Sequence, residues 1–146
     1  MAKRHVLMVG FEDLVSQVEI LLPKISGQLD LISVPDGARC VSAHTKLAAA
    51  GVPPLVVILR PGLEFIDGPQ TALTLRALER SLGVGASAVL YVTDEGASEG
   101  AADLVASIGR AVNLKWNTEQ SDEQAAQRLV RAMAKILEQL RKRGKS

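Results

Sequence analysis

Residues 55–69 read Leu-Val-Val-Ile-Leu-Arg-Pro-Gly-Leu-Glu-Phe-Ile-Asp-Gly-Pro. Five apolar residues in a row, three of them β-branched, lack the alternation of a half-exposed strand. They describe a strand covered on both faces, as in a parallel sheet. The strand ends at Arg60, and Gly68-Pro69 opens a helix, proline being favoured at the first helical position. Strand, loop and helix follow one another within one short segment.

The same unit recurs on either side. Residues 5–9, 29–34, 88–93 and 111–115 are further near-continuous apolar runs. Between them lie helical patterns. The first covers 12–25, with Leu14, Val15, Val18, Leu21 and Leu22 at helical spacing and Pro23 disturbing its end. The second follows Pro35-Asp36, with Asp36 as N-cap, and stops at Gly51. The third runs from Gly68-Pro69 to Gly83, and the fourth covers 98–108 up to Gly109. The last, about 121–143, opens on Ser121-Asp-Glu-Gln124, a capping-box pattern. Strict alternation predicts an α/β fold: a doubly wound, five-stranded parallel sheet with helices on both faces. Residues 1–146 form one domain with an extended C-terminal helix. In such sheets the functional crevice lies at the carboxyl ends of the strands, here residues 10–13, 35–37, 60–68, 93–96 and 115–117.

Composition narrows the function. The chain has 146 residues, 47% hydrophobic and 23% charged, with 17 basic against 16 acidic side chains. That balance excludes intrinsic disorder and gives no charge-based case for nucleic-acid binding. The single Cys40 excludes a disulfide scaffold, and two histidines, His5 and His44, are too few for an imidazole metal site. No apolar run approaches the ~20 residues that span a bilayer, and the N-terminus is too short in apolar residues for a signal peptide. The protein is expected in the cytoplasm, without membrane insertion.

Thr93 and Lys115 stand at the ends of the fourth and fifth strands, 22 residues apart, and Asp67-Gly68 precedes the third helix. In element order, size and these residues nearly all of the chain resembles the receiver domains of bacterial response regulators, the CheY-like, flavodoxin-like modules of two-component signal transduction. The resemblance implies an acidic pair after strand one holding Mg²⁺, an aspartate after strand three that accepts a phosphoryl group, and a lysine that neutralises the developing charge. Here the acidic-pair positions are Gly10 and Phe11. Counting back seven from Asp67 puts Arg60 at the phosphoacceptor, and the other two registers put Leu59 or Val57 there. No carboxylate lies between Asp36 and Glu64. Trp116 follows Lys115 where the family usually has proline, and Val112 replaces its switching aromatic. The chain thus resembles a pseudo-receiver, with Gly10, Phe11, Arg60, Asp67, Thr93 and Lys115 as a degenerate phosphoacceptor pocket. No metal, cofactor or catalytic residue is expected.

Other features have plain readings beside functional ones. Glu12 and Asp13 suit the first turn of a helix by its dipole, or form a displaced metal site with Asp67 or Asp94. Arg60 pairs with Glu12, Asp13 or Asp67, or reads an anion. Thr93 and Lys115 are relics or parts of an anion pocket, and the segment 93–100 reads as a loop. Cys40 and His44, four apart, share a face by packing. On the last helix Leu129, Val130, Met133, Ile136, Leu137 and Leu140 form a core stripe, and Arg128, Arg131, Lys135, Lys142 and Lys145 a basic one interrupted by Glu138.

The leading expectation is a non-phosphorylated signalling adaptor that binds a protein partner, or a second copy of itself, through Val112, Trp116, Arg128, Arg131 and Lys135. The alternative is an anionic-ligand sensor using Arg60, Thr93 and Lys115. No nucleotide-binding or nucleophile motif appears, so an enzyme is not expected.

Overall fold

The computed structural model describes residues 4–24, 29–60, 63, 67–94, 103, 110–116 and 119–144. The strands are β1 (Arg4–Val9), β2 (Leu29–Val34), β3 (Val56–Leu59), β4 (Ala88–Asp94) and β5 (Ala111–Trp116). The helices are α1 (Val15–Leu21), α2 (Gly37–Ala49), α3 (Gly68–Leu82) and α4 (Asp122–Gly144). All five strands are parallel, in the order β2-β1-β3-β4-β5. Strand order reverses between β1 and β3, and the crevice of a doubly wound sheet opens at such a reversal.

Burial follows strand parity. Val6, Met8, Val56, Ile58, Leu90 and Val92 point to one face, which α1 and α4 cover through Val18, Leu129 and Met133. Leu7, Val9, Val57, Leu59, Val89 and Tyr91 point to the other, covered by Cys40 of α2 and Ala72 and Leu75 of α3. β1, β3 and β4 therefore bury consecutive residues, the physical reason their sequences show no alternation. The edge strands β2 and β5, expected to be covered on both faces, are only partly so, having a neighbour on one side.

Three helix starts are capped by side chains, two of them as expected (Asp36 and Ser121) and the third by Asp67. The Asp36 carboxylate accepts from the Arg39 N–H at 2.8 Å, and Asp67 from the Gln70 N–H at 2.9 Å. Ser121 and Gln124 exchange hydrogen bonds of 3.0 and 3.2 Å, a closed capping box. The first helix departs from expectation. Residues 12–14 form a turn, with the Leu14 N–H donating to the Phe11 carbonyl at 2.9 Å, and α1 starts only at Val15. Phe11 and Leu14 both enter the core, so the chain dips inward before it can wind. Glu12 and Asp13 consequently precede the helix rather than occupying its first turn. Around Pro23 the helix tightens to a 3₁₀ turn, Leu22–Lys24. Of the loop expected over 93–100, Thr93 and Asp94 instead belong to β4, held by their pairing with β5. The rest of it, and the helix expected over 98–108, lie outside the described residues apart from Asp103.

Candidate functional site

At the carboxyl end of β1, Gly10 continues the ladder by donating its N–H to the Val34 carbonyl at 3.0 Å. Its φ is +82°, and a Cβ there would lie 2.7 Å from Leu63 Cδ2. A side chain at this position is strained by both backbone and neighbour. Phe11 then turns fully into the core between β1, α1 and α4. It meets Trp116, at the end of β5, edge-on, with centroids 6.2 Å apart and planes at 63°.

Arg60 is the first residue after β3. Its guanidinium carbon lies 5.0 Å from the centre of the Phe11 ring, and Nη1 donates to the Gly10 carbonyl at 3.3 Å. A cation over an aromatic face gains about 0.5–1 kcal/mol when exposed and more when desolvated. The expected carboxylate partner is not the one used: the ion pairs among the described residues do not include Arg60. The Phe11 ring satisfies its charge instead, because the residue beside it at the end of β1 is aromatic rather than acidic. Val57 and Leu59 are wholly buried under α2 and α3.

The divalent cation implied by the resemblance does not fit these residues. Where two carboxylates would hold it, there is a glycine of positive φ with Leu63 close beside it and a buried aromatic, with a guanidinium beside them. Among the described residues no group of three or more His, Cys, Asp or Glu could hold a metal ion.

Asp67-Gly68 has a structural reason to be there. Asp67 caps α3, and a Cβ on Gly68 would sit 2.5 Å from the Arg60 carbonyl and 3.0 Å from the Tyr91 hydroxyl. The helix start therefore rests directly on the end of β3. Burial, with the Asp67 charge adding, pushes the Tyr91 hydroxyl up to about 12.

Thr93 and Lys115 are paired neighbours in the β4–β5 ladder. The buried Thr93 hydroxyl donates to Asn113 Oδ1 at 3.1 Å, while the Lys115 side chain is exposed. Thr93 is thus tied to the neighbouring edge strand β5.

The expected partner surface divides. Trp116, anticipated as an interface anchor, is only 9% exposed because Phe11 receives it in the core. Arg128 is a tie between helix and edge strand: Nη2 donates to the Lys115 carbonyl at 2.7 Å and Nη1 to Gln120 Oε1 at 3.2 Å. Val112 (43% exposed), Arg131 and Lys135 do face solvent.

Sequence reasoning missed one polar network. His44, fully buried on α2, donates through Nε2 to Glu79 Oε2 of α3 at 3.1 Å. Arg76 Nη1 donates to the other oxygen at 2.8 Å, and the Ser87 N–H to Oε2 at 2.7 Å. Burial pushes the Glu79 carboxyl up, but the bonds from His44, Ser87 and Arg76 outweigh it and hold it below its ordinary value. Helical spacing marked His44 as inward-facing; no local signal paired it with a glutamate on another helix. Cys40, on the same buried face, has its thiol pushed up to about 12 by burial and then by Asp36, so it is an unreactive core group.

No family model matches this chain, and no curated protein matches it. Solved structures do. The phosphorylated cyanobacterial phytochrome response regulator RcpA is 13% identical over 90% of this chain and 91% of its own, with a TM-score of 0.66. The receiver domain of the Arabidopsis thaliana histidine kinase CKI1, complexed with Mg²⁺ and BeF₃⁻, is 16% identical over 92% and 90%, with a TM-score of 0.64. The receiver domain of the Mycobacterium tuberculosis response regulator NarL is 20% identical over 90% and 98%, with a TM-score of 0.53. This is a receiver fold. At such identities the likeness carries the architecture alone.

Proposed function

We propose that this receiver-like module takes no phosphoryl group, has no enzymatic activity, and works by binding a protein partner in a cytoplasmic bacterial signalling pathway. The observation that carries the proposal is the guanidinium of Arg60 seated on the buried Phe11 ring. Phosphorylation of a receiver requires a carboxylate nucleophile and a divalent cation to offset charge on the entering phosphoryl group. A fixed positive charge at the end of β3 offers no such nucleophile and repels the cation. The anion-sensor alternative has less support, since Arg60 is engaged with Phe11 and Gly10, and Thr93 with Asn113.

Incubating the protein with acetyl phosphate and Mg²⁺, followed by intact-mass spectrometry, tests the first half. No phosphate adduct is expected; a stable adduct mapped to Asp67 or Asp94 overturns it. The second half is tested in the native cell with a photo-crosslinking residue in place of the exposed Val112. A discrete heavier adduct is expected there and not with the same residue at Ile20 on α1. Absence of any adduct at Val112 contradicts the binding role.

A further inference from the structure

The near-balance of 17 basic and 16 acidic side chains conceals a segregation along the strands. Because all five strands are parallel, their starts share one end of the molecule, and each described helix returns the chain towards that end. Exposed cations collect there. Arg4 begins β1 and Arg110 immediately precedes β5. Lys46 and Arg80 stand in the last turns of α2 and α3, and Arg141 and Lys142 in that of α4. The acids on this side are Glu19, Asp30, the buried Glu79 and Glu138, which pairs with Lys142 at 3.5 Å. The sequence adds none in 1–3, 25–28, 104–109 or 145–146, the stretches that adjoin these starts and ends.

The opposite end carries the exposed Glu12, Asp13, Asp67, Asp122 and Glu123. Helix dipoles favour part of this arrangement, with acids at helix starts and bases at helix ends. They do not account for Arg4 and Arg110, which sit at strand starts. Along α4, Glu123 lies about 27 Å from Arg141 at 1.5 Å per residue. Charges are screened within about 8 Å at physiological salt. An anionic partner at the basic end is therefore little repelled by the acidic one.

The cations also spread in two dimensions. α2 and α3 bring theirs from one face of the sheet and α4 from the other. Between them stand Arg4 and Arg110, about 14 Å apart across three strand spacings. A duplex backbone is tracked by a line of cations, whereas a bilayer offers anionic headgroups in a plane. We propose that this end of the molecule docks on an anionic lipid surface, reversibly and without insertion, leaving the carboxyl ends of the strands facing solution. Such docking is separate from the interaction-module reading and neither needs nor replaces it.

Vesicle co-sedimentation of the full chain tests it. Equimolar phosphatidylcholine–phosphatidylglycerol vesicles should bind about tenfold or more tightly than phosphatidylcholine alone, and ~0.5 M NaCl should abolish the difference. Lys46→Glu/Arg80→Glu, with far-UV dichroism matching the parent, should weaken binding about tenfold or more. Arg131→Glu/Lys135→Glu makes the same change in net charge beside β5 and should stay within about twofold of the parent. Arg4→Gln/Arg141→Gln removes charge without reversing it and should weaken binding as well. Equal binding to both vesicles, or equal loss in the two charge-reversed variants, overturns the proposal. Tighter binding to duplex DNA than to the vesicles, lost in Lys46→Glu/Arg80→Glu, overturns it in favour of a nucleic acid. Salt-sensitive self-association lost in Glu12→Lys/Asp13→Lys overturns it in favour of the acidic end of a second copy. The crosslink at Val112 does not depend on these results, so failure here leaves the protein-partner reading standing.

Discussion

The chemistry of the site turns on two side chains, and both effects are measurable. Phe11→Ala should cost about 3–5 kcal/mol, because it removes a wholly buried ring and the partner of Trp116. Arg60→Ala should cost only about 1 kcal/mol, the loss of one cation–ring contact and one long hydrogen bond. Urea unfolding checks both, and an Arg60 effect as large as that of Phe11 would mean the guanidinium has further partners. Glu79 makes a pH prediction. Its folded carboxyl lies below the unfolded value, so the unfolded chain binds the proton more readily. The stability Glu79 contributes is complete above the ordinary glutamate value of 4.5 and is lost as pH falls through the lower folded value. Glu79→Gln should flatten that acid limb of thermal stability measured across pH. The identities of Arg60 and Phe11 could be read directly; their contact could not. Sequence showed a missing carboxylate at each place, whereas their stacking depends on β1 and β3 ending side by side. For the same reason Arg60 was expected to seek an acidic neighbour.

At the scale of elements, the strands and caps were legible because each has a local cause. Apolar runs report double-sided burial, and Asp36 and the Ser121–Gln124 box report helix starts. The start of α1 was not legible, since helical spacing from residue 12 onward cannot reveal that Phe11 and Leu14 first pull the chain inward. Trp116 was misplaced for a related reason. An aromatic after an edge strand looks exposed until the residue beneath it is known. The basic stripe of α4 also looked uniform, yet Arg128 is bonded to β5 and Arg131 and Lys135 are not. Arg128→Ala should therefore destabilise by about 1–2 kcal/mol, having removed two hydrogen bonds that hold helix to edge strand. Arg131→Ala and Lys135→Ala should each stay within about 0.5 kcal/mol, as exposed surface substitutions do. Equal effects from all three would contradict the division between tie and free cation.

For the molecule as a whole, a receiver fold carries a glycine, a buried aromatic ring and a guanidinium at the ends of β1 and β3. Order β2-β1-β3-β4-β5 sets the ends of β1 and β3 side by side, where Arg60 meets Phe11, and the Phe11 ring in turn meets Trp116 at the end of β5. Introducing an acidic pair at the end of β1 is expected to be costly. Gly10→Asp meets a left-handed φ and Leu63, and Phe11→Asp buries a charge where a ring belongs. The variant Gly10→Asp/Phe11→Asp/Arg60→Asp is accordingly expected to melt well below the parent, and Arg60→Asp alone to remain unlabelled by acetyl phosphate. A calorimetric titration of the parent protein with millimolar Mg²⁺, with fluoroberyllate present, asks whether the strand ends take a divalent cation. No saturable heat is expected, because a buried aromatic ring and a guanidinium, rather than carboxylates, stand at the ends of β1 and β3. A saturable Mg²⁺ isotherm strengthened by fluoroberyllate would contradict it and return a metal-dependent phosphoacceptor site to this fold.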